Sequence, residues 1–305
     1  MSIYKNKTAV ISGGAEGIGL SIAKALGQEE MNIVIGDINE TQLLKAEAEL
    51  KKMGISVLAL TMDVTNIEHW QIAANRAIER FGKIHMLVNN AGVSSNPGPV
   101  DKTNHREWQW VLDVNLMGVI MGTEIMVPHI KEHGEGGWLI NVASMAGMIG
   151  VPFAGAYTAT KVAVVGMSES WRVELQRDGI KVSVLCPAFV QTRIHLSHRN
   201  KQDRYKTTPA SDADKKTRKE DQSNKEQSKE NWAQALVENG IPVDLVGQRV
   251  VEALDAEEFY IFTHPAQRKI VQQRFNAIDQ AFERAAASPL LADIDDPEIP
   301  LFELK

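Results

Sequence analysis

The feature that most restricts the fold is an alternation: short apolar runs, each ending in small or polar residues, are separated by stretches with helical patterning. Thr8–Ser12 (TAVIS) runs into SGGAEGIG and then the helical pattern IGLSIAKALG. NIVIGD ends in Asp37, and a helix from about Glu40 closes at Gly54. SVLALTM (56–62), HMLVN (85–89), WLINVAS (138–144), KVSVL (181–185) and EEFYIFTH (257–264) continue the series. Strands joined through helices pair in parallel, with the crossovers covering both faces. The pattern therefore predicts an α/β, doubly wound Rossmann-type parallel sheet of about seven strands with helices on both faces. Ligands of such sheets bind beyond the C-terminal strand ends, where Ser12, Asp37, Asp63, Asn89 and Ser144 all fall.

With 305 residues, 44% of them hydrophobic, the chain can build one sizeable core. A single catalytic domain is expected over 1–196 and 231–287. Between these segments the composition shifts. In 197–230 Lys, Arg, Asp, Glu, Ser and Gln dominate and only Tyr205 is large and apolar, which predicts a solvated, mobile insertion near the substrate side. Residues 288–305 form a C-terminal tail. A net charge of -6 argues against nucleic acid or an anionic membrane as partner. The single cysteine, Cys186, excludes an intrachain disulfide and sits in an apolar run, as a buried, inert thiol would. No basic segment followed by an apolar stretch opens the chain, so a cytoplasmic location is expected. The most apolar stretch, VLDVNLMGVIMGTEIMV, is broken by Asp113, Asn115 and Glu124, which points to a packed helix rather than a membrane span. His105, His129 and His133 lack a persuasive metal spacing, and no metal is expected.

The glycines at 13, 14, 17 and 19 let the chain turn sharply into a helix whose free N–H groups favour a pyrophosphate, although a plain strand–helix turn has the same needs. Asp37, about twenty residues on, suits ribose hydroxyls and repels a 2′-phosphate, favouring NAD over NADP. Glu16 adds a second negative charge there. Asp63 suits an adenine amino group or a turn, and Thr65 with Glu68 has the form of a capping box. Asn90, Ala91 and Gly92 suit bracing of strand ends or a place beside a ring. Asn115 interrupts an apolar helical face and needs partners, either a neighbouring backbone or a water behind Tyr157 and Lys161. Tyr157 and Lys161, four residues apart in a helical segment, share a face. A phenol titrates near pH 10, and an ammonium about 4 Å away would favour its anion by about 4 kcal/mol. Ser144, at the end of a strand, could hold a substrate oxygen while Tyr157 exchanges a proton with it. Pro187 breaks the sixth strand, and the Thr192 hydroxyl could meet a carboxamide.

Ser12-Gly13-Gly14-Ala15-Glu16-Gly17-Ile18-Gly19, Asp63-Val64, Asn89-Asn90-Ala91-Gly92, Asn115, Ser144, Tyr157, Lys161 and Pro187 with Thr192 together resemble the short-chain dehydrogenase/reductase family. The resemblance runs from about Lys7 to Thr192 and more loosely to His264. It implies an oxidoreductase moving a hydride between NAD(H) and a secondary alcohol or ketone. By the same resemblance Tyr157 is the general acid/base, Ser144 positions the substrate oxygen, Lys161 lowers the phenol pKa and holds the ribose, and Asn115 supports a relay water. The implied cofactor set is Ser12, Gly13, Gly17, Ile18, Gly19, Asp37, Asp63, Val64, Asn90, Ala91, Gly92, Tyr157, Lys161, Pro187, Val190 and Thr192. Met148, Phe153 and Phe189 stand where an apolar substrate wall could form. A homodimer or homotetramer through the helices bearing Asn115 and Tyr157 is also implied. Ser12 replaces the family's usual threonine and Ala188 its usual glycine. The alternatives are a cofactor-sensing or partner-binding protein that uses the charged insertion, and an NADP-dependent ketoacyl-type reductase, which Asp37 disfavours.

Overall fold

The chain is seen in a computed structural model, described for residues 2–94, 98–206 and 235–294. Its centre is a seven-stranded sheet in the order β3-β2-β1-β4-β5-β6-β7, parallel at every pairing. The strands are β1 (Thr8–Ser12), β2 (Asn32–Asp37), β3 (Val57–Thr61), β4 (Met86–Asn89), β5 (Gly137–Val142), β6 (Ile180–Cys186) and β7 (Tyr260–Phe262). The helices are α1 (Gly17–Gln28), α2 (Glu40–Lys52), α3 (Ile67–Phe81), α4 (His105–Leu112), α5 (Gly118–Glu132), α6 (Gly155–Leu175), α7 (Val243–Asp255) and α8 (Arg268–Ala286).

Every residue of β1, β4 and β5 is buried, which is why these strands read as unbroken apolar runs rather than alternating ones. Ile11, Ile35, Val88 and Ile140 face one core, filled by Ile22 and Leu26 of α1, Leu43 and Leu50 of α2, and Val246 and Val250 of α7. On the opposite side α3 packs on α5, α5 on β4, and α6 on β6. Strand order reverses between β1 and β4, and at that switch point a crevice opens between the two strand ends.

Helix starts differ locally from the expected capping box. Asn66, not Thr65, caps α3, its side chain accepting from the Glu68 amide at 2.9 Å. The Thr65 hydroxyl instead donates to Asp63 Oδ1 at 2.6 Å. The packed helix expected over the apolar stretch VLDVNLMGVIMGTEIMV is divided by a π-helical turn over Asp113–Met117. His105–Glu132 is apolar and long enough to cross a membrane by length and composition, but in this fold its apolar residues Trp110, Val111, Met126 and Ile130 are buried.

The expectation of a solvated insertion from Ser197 is corrected for its first ten residues. Ser197 and Tyr205 are buried, and the Tyr205 hydroxyl donates to Asp113 Oδ2 at 2.7 Å. Lys201 pairs with the buried Glu107 and lies 4.7 Å from the Trp110 ring centroid. Opposite charges on α4 therefore hold a segment that its composition alone would leave in water. Residues 207–230 of that expected insertion lie outside the described residues.

Residues up to Thr263 make one compact unit and His264 onward a second. The apolar residues Val271, Phe275, Ile278 and Phe282 lie on α8, none of whose residues is buried.

At the N-terminal edge of the sheet the Thr8 amide donates to His85 Nδ1 at 3.1 Å, which leaves the ring proton on Nε2, 3.2 Å from Glu135 Oε2. His133 lies 4.7 Å from His85 between ring centroids, and its Nε2 donates to Ile84 O at 2.8 Å. These two rings and Glu135 lie close enough to ligate an ion. That tautomer of His85, however, turns a proton rather than a lone pair toward the carboxylate, so the trio acts as a hydrogen-bonded brace.

Close packing of α5 rests on Gly122, where a Cβ would come within 2.5 Å of Asn89 Oδ1 and 2.7 Å of the Trp70 ring. Gly122→Ala is expected to lower unfolding free energy by about 1–3 kcal/mol, as measured by urea denaturation, with little change in the denaturant slope.

Candidate active site

The crevice is built from backbone. Gly13 (φ 63°) and Gly17 (φ 58°) adopt left-handed conformations, and a Cβ on Gly13 would stand 2.8 Å from Ala91 Cα. Glu16 caps α1 without a side-chain bond to its first amides, so those N–H groups face the crevice, the arrangement that receives a phosphate. Ser12 ties the two halves together. Its hydroxyl accepts from the Asn90 and Ala91 amides at 3.0 and 3.1 Å, and Asn90 Nδ2 donates to the Ser12 and Gly13 carbonyls at 2.9 Å. Asn90 is thus a brace. Thr192 Cγ2 lies 3.3 Å from where a Gly17 Cβ would be, and a cavity of about 390 Å³ opens beside Gly17, Thr192 and Val243. Ile18 packs against the core cluster. A bound dinucleotide fits this lining of glycine, free amide and hydroxyl.

Asp37, at the end of β2, accepts from the Ala15 amide at 3.2 Å and the Asn39 amide at 2.9 Å. Burial pushes its carboxyl up while those amides oppose the rise. The charge expected from Glu16 is not isolated: Arg193 (3.3 Å) and Arg199 both pair with it. Asp63 Oδ1 accepts from the Thr65 amide and hydroxyl, and Oδ2 from Gln202 at 3.0 Å. Val64 is buried beneath Gly118.

The candidate side chains Asn115, Ser144, Tyr157 and Lys161 come next. A Cβ on Gly92 would sit 3.5 Å from Asn115 Oδ1 and 3.6 Å from Lys161 Nζ, so this one backbone position lies against two of them. The π-helical turn carries Asn115 inward to full burial. There its Oδ1 accepts from the Val93 amide at 2.8 Å, and its Nδ2 donates to Val93 O at 2.9 Å. Of the two roles left open for Asn115, the structure shows the backbone bond. Ser144 accepts from the Ala146 amide at 3.1 Å and donates to Pro187 O at 3.4 Å. Pro187 O also accepts from the Met145 amide at 2.9 Å. Ala188 is not among the non-glycine residues with positive φ, so this turn does not use a glycine's freedom.

Lys161 is buried, and its Nζ donates to Val142 O at 2.8 Å while lying 5.6 Å from the Tyr157 ring centroid. Burial draws this lysine down to about 8. It also raises the Tyr157 phenol above its ordinary value, against a smaller opposing hydrogen bond with Ser144. The expected lowering of the phenol by its ammonium neighbour is therefore overturned. The ammonium is committed to a carbonyl, and desolvation outweighs what attraction remains. Tyr157 is half-buried, with its phenol protonated at neutral pH.

Met148 and Val190 are buried, whereas Phe153 and Phe189 are 54% and 41% exposed. Phe153 also holds φ 65°, a costly conformation for a bulky residue and one that often marks a functional position. A separate cavity of about 590 Å³, lined by His105, Gln109, Met117 and Tyr205 among others, touches none of Ser144, Tyr157 or Lys161. Asn141 and Ser168 escaped the sequence reading. Asn89 Nδ2 donates to Asn141 Oδ1, and Asn141 Nδ2 to Ser168 Oγ, both at 2.9 Å. An amide at the end of two adjacent strands, WLIN and MLVN, was the available signal.

The sequence profile of the short chain dehydrogenase family matches residues 7–203. The chain belongs to that family. It is 33% identical to a CLA biosynthesis dehydrogenase/reductase of Lactiplantibacillus plantarum over 91% of this chain and 95% of that protein. It is 40% identical to a 3-alpha-(or 20-beta)-hydroxysteroid dehydrogenase of Mycobacterium bovis, over 61% of this chain and 70% of that one. The crystal structure of a short chain dehydrogenase/reductase from Burkholderia phymatum in complex with NAD superposes with a TM-score of 0.84 at 30% identity, covering 99% of this chain and 100% of that one. An oxidoreductase acting on CH–OH groups with a nicotinamide cofactor follows from this membership.

Asn115→Leu strands the Val93 amide and carbonyl in a buried site. The expected cost is about 1–3 kcal/mol for each group left unpaired, read as a fall in urea midpoint.

Proposed function

We propose that this short-chain dehydrogenase/reductase transfers a hydride between NAD(H) and a secondary alcohol or ketone, with Tyr157 as general acid/base. The observation that carries the proposal is the placement of Tyr157, bonded to Ser144 and set over the buried Lys161 ammonium, beside the glycine turn. When bound, the nicotinamide ring supplies or accepts the hydride at its C4. Ser144 donates to the substrate oxygen and so fixes its distance from the phenol. In reduction Tyr157 gives its proton to that oxygen, and in oxidation it takes one back. Lys161 holds positive charge beneath the phenol. Asn115 keeps the Gly92–Val93 backbone in place behind both. Ser12, Gly13, Gly17, Ile18, Gly19, Asn90, Ala91 and Gly92 form the pyrophosphate and ring side of the crevice. Asp63 and Val64 form the adenine end, and Pro187, Val190 and Thr192 the carboxamide end.

Asp37 favours NAD: its carboxylate lies against the glycine turn, where a 2′-phosphate would meet a like charge. The exposed rings of Phe153 and Phe189 suit an apolar, alicyclic or aryl substrate, in keeping with the hydroxysteroid named for one relative. The same reading makes the protein a cytoplasmic homodimer or homotetramer.

Tyr157→Phe is expected to bind NAD(H) normally and to lose turnover by about a hundred- to ten-thousandfold, as followed by absorbance of the reduced nicotinamide. In the wild type, burial keeps the phenol protonated and leaves Lys161 charged only below about pH 8. Carbonyl reduction should therefore hold through neutral pH and fall only where the raised phenol ionises, well into the alkaline range, while alcohol oxidation rises over that same range; profiles of equal slope would exclude Tyr157 as the proton carrier. Asp37→Ala should shift the NADP/NAD preference toward NADP by roughly tenfold, equivalent to about 1.4 kcal/mol of removed repulsion. A wild type that already prefers NADP would refute the electrostatic basis of that choice.

A further inference from the structure

α8 is a 19-residue helix with no buried residue. Along it Val271, Phe275, Ile278 and Phe282 follow one another in steps of four, three and four, and Ala285 adds a further step of three. Phe275, Ile278 and Phe282 are 50%, 40% and 72% exposed. Alternating threes and fours keep these side chains on one narrow stripe, the seam through which one helix seats knobs into the holes of another. In heptad terms Phe275 and Phe282 occupy a positions, and Val271, Ile278 and Ala285 occupy d positions.

The charges beside the seam point to the occupant. Arg274 falls at g and Asp279 at e, five residues later. In a parallel two-stranded coiled coil a g residue faces the e residue five positions on in the other strand. Arg274 of one chain then meets the partner's Asp279, and twofold symmetry supplies the same pair again on the other side. An antiparallel pair sets g against g and e against e and forms neither bridge.

We propose that α8 is a self-recognition element through which two copies of this chain join as a short parallel coiled coil, with Phe275 and Phe282 in its core. The contact is independent of the reaction read from the crevice. It uses a different helix from those bearing Asn115 and Tyr157. A helix of this length is marginal alone in water, and pairing stabilises it by covering its apolar seam.

The test uses the full-length chain, with molar mass followed by light scattering over a dilution series. Phe275→Glu puts a carboxylate at a core position and should raise the dissociation constant of the association step by at least about tenfold. Arg274→Asp should also weaken association, and Asp279→Arg added to it should restore it. Phe282→Cys should form a covalent dimer under mild oxidation, because an a position faces its own copy in a parallel pair and the natural Cys186 is buried. Absence of that covalent dimer, or failure of the charge swap to restore association, would overturn the proposal. So would an unchanged mass for Phe275→Glu together with a lowered thermal midpoint, which would seat the stripe against its own subunit.

Discussion

A buried ammonium is the constraint on which the site depends. Lys161 sits on α6 away from water, and its Nζ is satisfied by the carbonyl of Val142 at the end of β5. That bond ties α6 to the sheet end and places the Lys161 amine 5.6 Å from the Tyr157 ring centroid. Burial weakens the charge, bringing the lysine to about 8, and raises the phenol as well. The raised phenol is therefore protonated at neutral pH. A buried charge is tolerated here because a backbone acceptor and an aromatic ring stand where water would otherwise be.

Around that pair the backbone does most of the shaping. The Asn115 amide is spent on both polar groups of Val93. Asn90 is spent on the carbonyls of Ser12 and Gly13. Two loops from opposite sides of the strand-order reversal are therefore locked by side-chain amides. The chain Asn89–Asn141–Ser168 does the same one layer down, tying β4 to β5 and β5 to α6.

Much of this was legible because it follows from short-range rules. Apolar runs ending at Ser12, Asp37 and Asn89 alternate with helical periods, and the seven-stranded parallel sheet follows. The spacing of Tyr157 and Lys161 gives a shared helix face. What was not legible depends on partners distant in sequence. No local signal distinguishes the π-helical turn at Asp113–Met117 from plain helix. Residues 197–206 read as solvated because their ionic partner Glu107 lies on α4, about ninety residues earlier. The phenol shift was misjudged because the ammonium's competing carbonyl, Val142 O, belongs to another element. Asn66 took the cap from Thr65 for a local reason instead, since the Thr65 hydroxyl was already held by Asp63, two residues earlier.

The pairing of β1 with β4 also governs when the crevice can exist at all. Ser12 bonds the amides of Asn90 and Ala91, so the glycine turn is braced only after a long stretch of intervening chain has closed on itself. Such non-local closure is slow, because the entropy of the loop must be lost before the contacts repay it. On a ribosome the first strand, first turn and first helix would emerge well before the segment that locks them. Nucleotide recognition in this molecule is thus a late event of folding rather than a property of its opening motif.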